Sequence, residues 1–84
     1  MKHTIKIIDY AGSPATGVVI TATSFKHQLR VDGVFVTHHV LTINEEGYAE
    51  FQTVGAAAIG FMSPAGFLGE YTFPADPPTI QLPE

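Results

Sequence analysis

Residues 40–51 of the chain read VLTINEEGYAEF. Residues 48–51 alternate strictly between outward and inward side chains, which is typical of a half-buried strand. The β-branched residues before Asn44 favour a second strand, and Asn44-Glu45-Glu46-Gly47 between the two runs predicts a tight turn. The segment therefore predicts strand, turn and strand, with Ala49 and Phe51 facing the core.

The first third of the chain has the same organisation. Residues 4–9 (TIKIID) and 18–25 (VVITATSF) predict strands, and residues 10–17 (YAGSPATG) predict the turn between them. The other predicted strands are residues 34–43, 48–53, 56–62, 71–73 and 79–82, whereas the polar residues 26–33 predict a loop or an irregular sheet edge. Turn signals separate these seven strands and no helical pattern is visible. We therefore expect an all-β fold, a single seven-stranded antiparallel β-sandwich over residues 1–84.

The composition indicates a packed core and excludes several classes of function. Hydrophobic residues make up 45% of the chain, charged residues 14%, and cysteine is absent. This apolar content is too high for a disordered chain, and without cysteine neither a disulfide nor a thiolate metal site can stabilise the fold. We expect no metal and no cofactor. The net charge of −4 disfavours nucleic-acid binding.

No segment predicts secretion or membrane insertion. Asp9 interrupts the short apolar run that follows Lys2 and Lys6, so we expect no signal peptide. The longest weakly polar run, residues 54–62, is about half as long as a bilayer-spanning helix. We therefore expect a soluble protein that is made in the cytoplasm and does not bind membranes.

Charged residues are distributed unevenly along the chain. All four basic side chains lie in residues 1–30, where Asp9 is the only acid, which gives this segment a net charge of +3. Residues 31–84 hold seven acids and no Lys or Arg, a net charge of −7. This division reflects either ordinary solvated positions or an electrostatic dipole that orients the domain on a partner.

Three groups of motifs carry a resemblance to a known family. They are Ile7-Ile8-Asp9 followed by residues 12–20 (GSPATGVVI), Thr42 followed by residues 46–51 (EGYAEF), and residues 61–67 (FMSPAGF) with residues 80–82 (IQL). These motifs resemble the strands and turns of carboxypeptidase-regulatory-like and transthyretin-like β-sandwich domains. The resemblance covers nearly the whole chain and implies an immunoglobulin- or prealbumin-like sandwich. Such short motifs specify a fold better than a function.

The same resemblance raises one enzymatic alternative. Transthyretin-like hydrolases that open a purine-breakdown ring carry a first-strand histidine, further histidine and arginine residues, and a Tyr-Arg-Gly-Ser tail. His3 and Arg30 match the first features, but residues 80–84 read IQLPE and the tail is absent. We therefore expect no enzyme, and this hydrolase remains a remote alternative.

Residue types common in catalytic and metal sites are not arranged for either role. His38 and His39 are adjacent on a predicted strand, so their side chains point to opposite faces and do not share one ion. His3 and His27 are expected at the surface. The serines lack the Gly-x-Ser-x-Gly environment of a hydrolase nucleophile. We expect no catalytic residue in this chain.

Most aromatic residues are expected in the core from their spacing. They are Phe25, Phe35, Phe51, Phe61, Phe73, Tyr10, Tyr48 and Tyr71. Phe67 is the exception, because Phe67 and Leu68 stand between Gly66 and Gly69 and predict an apolar loop tip. Our candidate protein-binding residues are Phe67 and Leu68 at this tip, with Glu45 and Glu46 in the acidic turn.

These observations favour a non-enzymatic structural or interaction module that docks on a protein of a larger assembly. A small β-sandwich with no signal sequence, linker or tandem copy suits a phage virion component, such as a capsid decoration or tail-associated protein. This expectation rests on an analogy of fold and size. The protein would then be located in the virion, either as a monomer or as a homo-oligomer. The alternative is a carbohydrate-binding or adhesion accessory module. It needs exposed aromatic rings, and Tyr48 and Tyr71 are the only plausible ones, although their spacing favours the core.

Overall fold

The computed structural model describes residues 1–74 and 78–83, and every regular element in them is a β-strand. The strands are β1 (Lys2–Ile8), β2 (Ile20–Thr23), β3 (Leu29–Val31), β4 (Val34–Val36), β5 (His38–Leu41), β6 (Tyr48–Thr53), β7 (Ala57–Ser63), β8 (Gly66–Phe73) and β9 (Thr79–Gln81). They form a five-stranded sheet in the order β4-β3-β6-β1-β9 and a four-stranded sheet in the order β5-β2-β7-β8. The predicted all-β class is confirmed. Within these residues no helix is long and apolar enough to cross a membrane.

Both predicted strand–turn–strand segments exist, but in neither do the two strands pair with each other. β5 pairs with β2, whereas β6 pairs with β1 in the other sheet. The turn between β5 and β6 is as tight as predicted, because Asn44 Oδ1 accepts hydrogen bonds from the backbone N–H groups of Glu46 and Tyr48, each at 2.9 Å. The turn therefore carries the chain from one sheet to the other.

The residues that the structure describes form nine strands, whereas the sequence predicted seven. The predicted strand over residues 34–43 is two strands, β4 and β5, which lie in different sheets on either side of Thr37. The predicted loop or irregular edge over residues 26–33 contains β3, a regular strand that lies between β4 and β6. β3 pairs with β4 across a turn with φ of 49° at Asp32 and 80° at Gly33. A continuous β-branched run carries no local signal for a change of sheet, which explains the missed boundary at Thr37.

Two further strand predictions need correction. β9 pairs with β1 in parallel, not antiparallel, since a strand far along the chain can join a sheet edge in either direction. β8 begins at Gly66, five positions before the predicted start at residue 71. It does so because pairing with β7 continues to the turn itself, where Ser63 is opposite Gly66.

Side chains from both sheets meet in one hydrophobic core. Phe51 is 2% exposed, which confirms its predicted burial. Its ring makes edge contacts with Phe61 and Phe73, with centroids 5.7 and 5.0 Å apart. The alternation predicted for β6 is also confirmed, because Ala49 is buried whereas Glu50 and Gln52, on the other side of the strand, are exposed. The other buried apolar residues are Ile5, Ile7, Ala15, Ile20, Ala22, Leu29, Leu41, Ala57, Ile59 and Ile80.

Three aromatic residues predicted in the core lie at the surface. Phe25 is 87% exposed and Phe35 is 56% exposed, and Tyr10 in the first turn is exposed as well. Phe25 follows the end of β2, where the sheet no longer sets the direction of side chains. Phe35 points outward from β4, an edge strand. Aromatic character alone therefore does not place a residue in this core.

Candidate functional site

One row of side chains crosses all four strands of the four-stranded sheet on its outer surface. Backbone pairing aligns Val40 of β5 with Thr21 of β2, Thr21 with Met62 of β7, and Met62 with Phe67 of β8. The three apolar members are exposed: Val40 by 58%, Met62 by 43% and Phe67 by 62%. We call the row of Val40, Thr21, Met62 and Phe67 the apolar face.

A glycine behind the apolar face lets the Phe67 ring lie close to the sheet. Gly60 pairs with Thr23 in the neighbouring row, and the Thr23 hydroxyl donates a hydrogen bond to the Gly60 carbonyl at 3.2 Å. A Cβ atom at Gly60 would lie only 3.1 Å from Cε1 of Phe67. The ring therefore covers the backbone of β7 and is held in place, while most of its surface remains free to contact a partner.

A groove of about 370 Å³ lies farther along the same outer surface, at the end that holds Phe25. The exposed residues Ala56 and Ala58 line it with small side chains, and Phe25 lines it together with Lys26 and Gln28. Glu70 and Thr72 of β8 line the opposite side. Alanine methyl groups and an aromatic wall suit an apolar side chain, so the groove extends the apolar character of this surface beyond the apolar face.

The four predicted protein-binding residues do not form one cluster. Phe67 is exposed as predicted, but it lies in β8 and not at a loop tip, since the tip of that turn is Pro64-Ala65. Leu68 is half-buried and packs against the core. Glu45 and Glu46 are exposed in the turn after β5, at the opposite side of the four-stranded sheet from β8.

Two residues of the apolar face, Val40 and Met62, were not predicted from the sequence. Each stands in an alternating strand, and that alternation was a usable signal for an outward side chain. The sequence contains no signal that aligns Val40 with Met62 and Phe67, because that alignment depends on which strands pair and in which register.

Basic side chains gather on the outer surface of the other sheet. Lys2 and Lys6 project outward from β1, and Arg30 projects outward from β3. In each case the adjacent residue along the strand points inward and is buried. Lys2 Nζ lies 3.1 Å from Glu50 Oε2, and Lys6 Nζ lies 5.6 Å from the centre of the Tyr48 ring. Because Glu50 from the acidic segment stands among the basic residues, the charge division along the chain does not become two separate poles.

The chain matches no family model, no curated protein and no solved structure.

The structure separates His38 and His39 as their positions on a strand predict. His38 is exposed, and its Nδ1 lies 2.9 Å from the hydroxyl of Thr37. His39 is half-buried on the inner side of β5, and its Nδ1 is buried without a hydrogen-bond partner among the described residues. Leaving such an atom unpaired costs about 1–3 kcal/mol. Across residues 1–74 and 78–83, no group of three or more His, Cys, Asp or Glu side chains could hold a metal ion.

His3 is buried, in contrast to its predicted place at the surface. It is 9% exposed and stands opposite Phe51 in the β1–β6 pair. The centre of its ring lies 5.3 Å from the centre of the Phe51 ring and 5.0 Å from that of the Phe73 ring. Its Nε2 lies 2.7 Å from Oγ1 of Thr53. Since the Thr53 hydroxyl donates its one proton to the Gly55 carbonyl at 3.0 Å, it accepts a hydrogen bond from Nε2–H of His3.

Burial lowers the pKa of His3 below its usual value of 6.5, and the nearby terminal amino group lowers it further. The unfolded chain therefore binds more protons than the folded protein between pH 6.5 and the lowered value. We expect the free energy of unfolding to fall as the pH drops through this window, by at most about 1.4 kcal/mol per pH unit. Urea unfolding at a series of pH values measures this effect.

The exposed histidines provide the control for this measurement. His3→Gln should remove the pH dependence in this window, whereas His38→Gln should retain it. A wild-type stability that stays constant across the window would contradict the assignment of a neutral, buried His3.

Proposed function

We propose that this domain is a non-enzymatic interaction module that docks on a protein partner through the apolar face. The observation that carries the proposal is the unbroken alignment of Val40, Thr21, Met62 and Phe67 across four strands with three apolar side chains exposed. Contiguous exposed apolar surface that is held rigidly by a sheet is typical of a protein–protein contact. Phe67 is the anchor in this proposal, because large aromatic side chains contribute most to binding affinity.

The chemistry of the surface defines the partner that fits it. The partner presents apolar side chains to the apolar face, and one of them enters the groove beside Phe25. Glu45 and Glu46 stand in the turn that follows β5, the strand that carries Val40. Their charges steer a basic rim of the partner towards the apolar face, and such charges act mainly on the rate of association.

The size of the apolar face favours attachment to a multi-copy assembly. Four strands about 4.8 Å apart, and about 7 Å of strand length for one row of side chains, give a face of roughly 130 Å². A stable interface buries about 800 Å² on each partner, so this face alone does not hold a firm dimer. Many copies on one assembly compensate for a small contact through avidity.

A phage virion is the specific assembly that we propose, with the domain as a capsid decoration or tail-associated protein. This narrower form is an analogy with all-β virion proteins, and the all-β architecture is compatible with it. An immunoglobulin- or prealbumin-like sandwich, related to carboxypeptidase-regulatory-like domains, is the fold that we propose. It is supported by the two packed sheets and by the motifs at residues 7–20, 42–51 and 61–67.

Phe67→Ala tests the proposed anchor. We expect the variant to weaken attachment by about 2 kcal/mol or more, because the contact loses its largest exposed aromatic side chain. The melting temperature should change little, since the ring is mostly exposed. Phe35→Ala is the matched control, because it removes an equally exposed ring from an edge strand of the other sheet. Calorimetry or biolayer interferometry with the isolated partner measures both affinities.

A photo-crosslinking amino acid identifies that partner. Placed at Met62, it should join the domain to one protein in its native assembly, and placed at Gln52 on the other outer surface it should not. Charge reversal at Glu45 and Glu46 should mostly change the association rate and its salt dependence. If Phe67→Ala lowers the melting temperature and leaves affinity unchanged, Phe67 belongs to the core and the docking proposal is wrong.

A further inference from the structure

An opening between the two sheets lies where β3 separates from β6. β3 pairs with β6 only at Leu29–Thr53 and Arg30–Gln52, so residues 48–51 of β6 pair with β1 on one side and, within the described chain, with no strand on the other. Two cavities of about 370 and 330 Å³ open at this corner. His39 of β5 and Glu50 of β6 line both cavities. We call the two cavities together the polar cleft.

The walls of the polar cleft combine hydrogen-bond donors and acceptors without an excess of either charge. Lys2 and Arg30 supply cations, and Asp32 and Glu50 supply carboxylates. Lys2 and Glu50 already form an ion pair at 3.1 Å. A simple anion would meet two carboxylates here and a simple cation would meet two basic groups. The balance therefore favours a neutral ligand that both donates and accepts hydrogen bonds.

His39 lines the polar cleft and carries a buried ring nitrogen that lacks a hydrogen-bond partner. His39 Nδ1 is buried and has no hydrogen-bond partner in the described residues, and native proteins rarely leave such an atom unsatisfied. The χ2 torsion of histidine is broad, so the ring can turn towards a ligand at little energetic cost. A hydroxyl group in the cleft would satisfy this nitrogen.

We propose that the polar cleft binds a small, neutral, hydroxyl-rich ligand of the monosaccharide class. Each sugar hydroxyl can accept from Arg30 or Lys2 and donate to Asp32, Glu50 or His39, which matches the mixed walls of the cleft. The Tyr48 ring at the far side of the cleft lies beside Glu50 and Asn44 and supplies an apolar surface for the C–H groups of the ring. This site is independent of the apolar face, which lies on the outer surface of the four-stranded sheet.

Amide and imidazole NMR spectra of the intact chain test the proposal, with glucose, galactose and mannose as separate neutral probes and sodium sulfate and sodium acetate as anionic probes. We expect at least one sugar to shift the signals of residues 30–32, 39, 48 and 50–52 in a saturable way. His39→Phe and Glu50→Gln should each weaken that binding about tenfold, by loss of hydrogen bonds to the ligand. His38→Phe is the matched control, because it changes the adjacent exposed histidine on the opposite face and should leave the binding unchanged.

Three results would overturn the proposal. One is the absence of saturable shifts with every sugar. Another is binding of sulfate or acetate in place of a sugar, which would make the cleft an anion site. The third is sugar binding that survives both His39→Phe and Glu50→Gln. Glu50→Gln retains the side-chain volume at an exposed position, so it remains informative if His39→Phe fails to fold. None of these results bears on the docking proposal, which is tested separately by the affinity for a protein partner.

Discussion

Phe51→Ala is expected to lower the free energy of unfolding by about 3–5 kcal/mol. The ring is almost completely buried between the sheets and packs against Phe61 and Phe73. Alanine would remove the contacts of that ring and leave a cavity that two rigid sheets cannot fill by collapsing. Domains have a total stability of about 5–15 kcal/mol, and one of 84 residues is expected at the lower end. The variant should therefore be partly or fully unfolded at room temperature.

Urea unfolding followed by circular dichroism measures the loss, and Phe25→Ala provides the control. Phe25 is exposed in the turn after β2, so its removal should change stability by less than about 0.5 kcal/mol. A cost below about 1 kcal/mol for Phe51→Ala would mean that Phe51 is not packed in the core.

Gly47→Ala is expected to lower the free energy of unfolding by about 2–4 kcal/mol, from two separate causes. The backbone at Gly47 has φ of +87°, a region that side chains disfavour. An alanine Cβ at this position would also lie 2.8 Å from the Ile7 carbonyl oxygen and 3.1 Å from Cβ of Pro14. The backbone cannot move away freely, because Ile7 N–H donates to the Gly47 carbonyl at 2.7 Å.

Gly33→Ala separates the two causes. Gly33 has a similar φ of +80°, but nothing lies within 4 Å of an added Cβ. The backbone conformation alone should therefore cost about 1 kcal/mol at Gly33, and the excess at Gly47 measures the close approach to β1 and the first turn. Equal losses in the two variants, compared by urea unfolding, would show that the close approach contributes nothing.

The local features of the fold could be predicted because neighbouring residues determine them. The alternation of residues 48–53 identifies β6 and its buried Phe51, and Asn44 with Gly47 identifies the tight turn. The strand boundary at Thr37 could not be predicted in this way. Residues 34–43 are uniformly rich in β-branched residues, and the change of sheet at Thr37 appears only in the pairing of β4 with β3 and of β5 with β2. The Thr37 carbonyl continues the second pairing by accepting from Ser24 N–H at 2.8 Å.

The candidate site was predictable in part. The sequence correctly indicated that Phe67 is exposed. The reason was wrong, because the glycines at positions 66 and 69 lie in strand β8 and do not form a loop tip. Met62 and Val40 complete the apolar face only because β7 and β5 flank β2 in one register. A one-residue shift of either strand would turn these side chains inward. Sequence alone cannot locate a surface that is assembled from four strands.

His3 shows most directly what the sequence by itself determined and what the tertiary structure decided. Alternation along β1 places His3, Ile5 and Ile7 on one side, and this follows from the period of a strand. Whether that side faces water or a core depends on the partner strand and on the opposing sheet. Pairing opposite Phe51 and the approach of Phe73 enclose the ring, because long-range packing, not local propensity, selects which surfaces lose water. The alternation along each strand and the tight turns are therefore local properties of this chain, whereas the buried histidine, the polar cleft and the apolar face exist only in the folded protein.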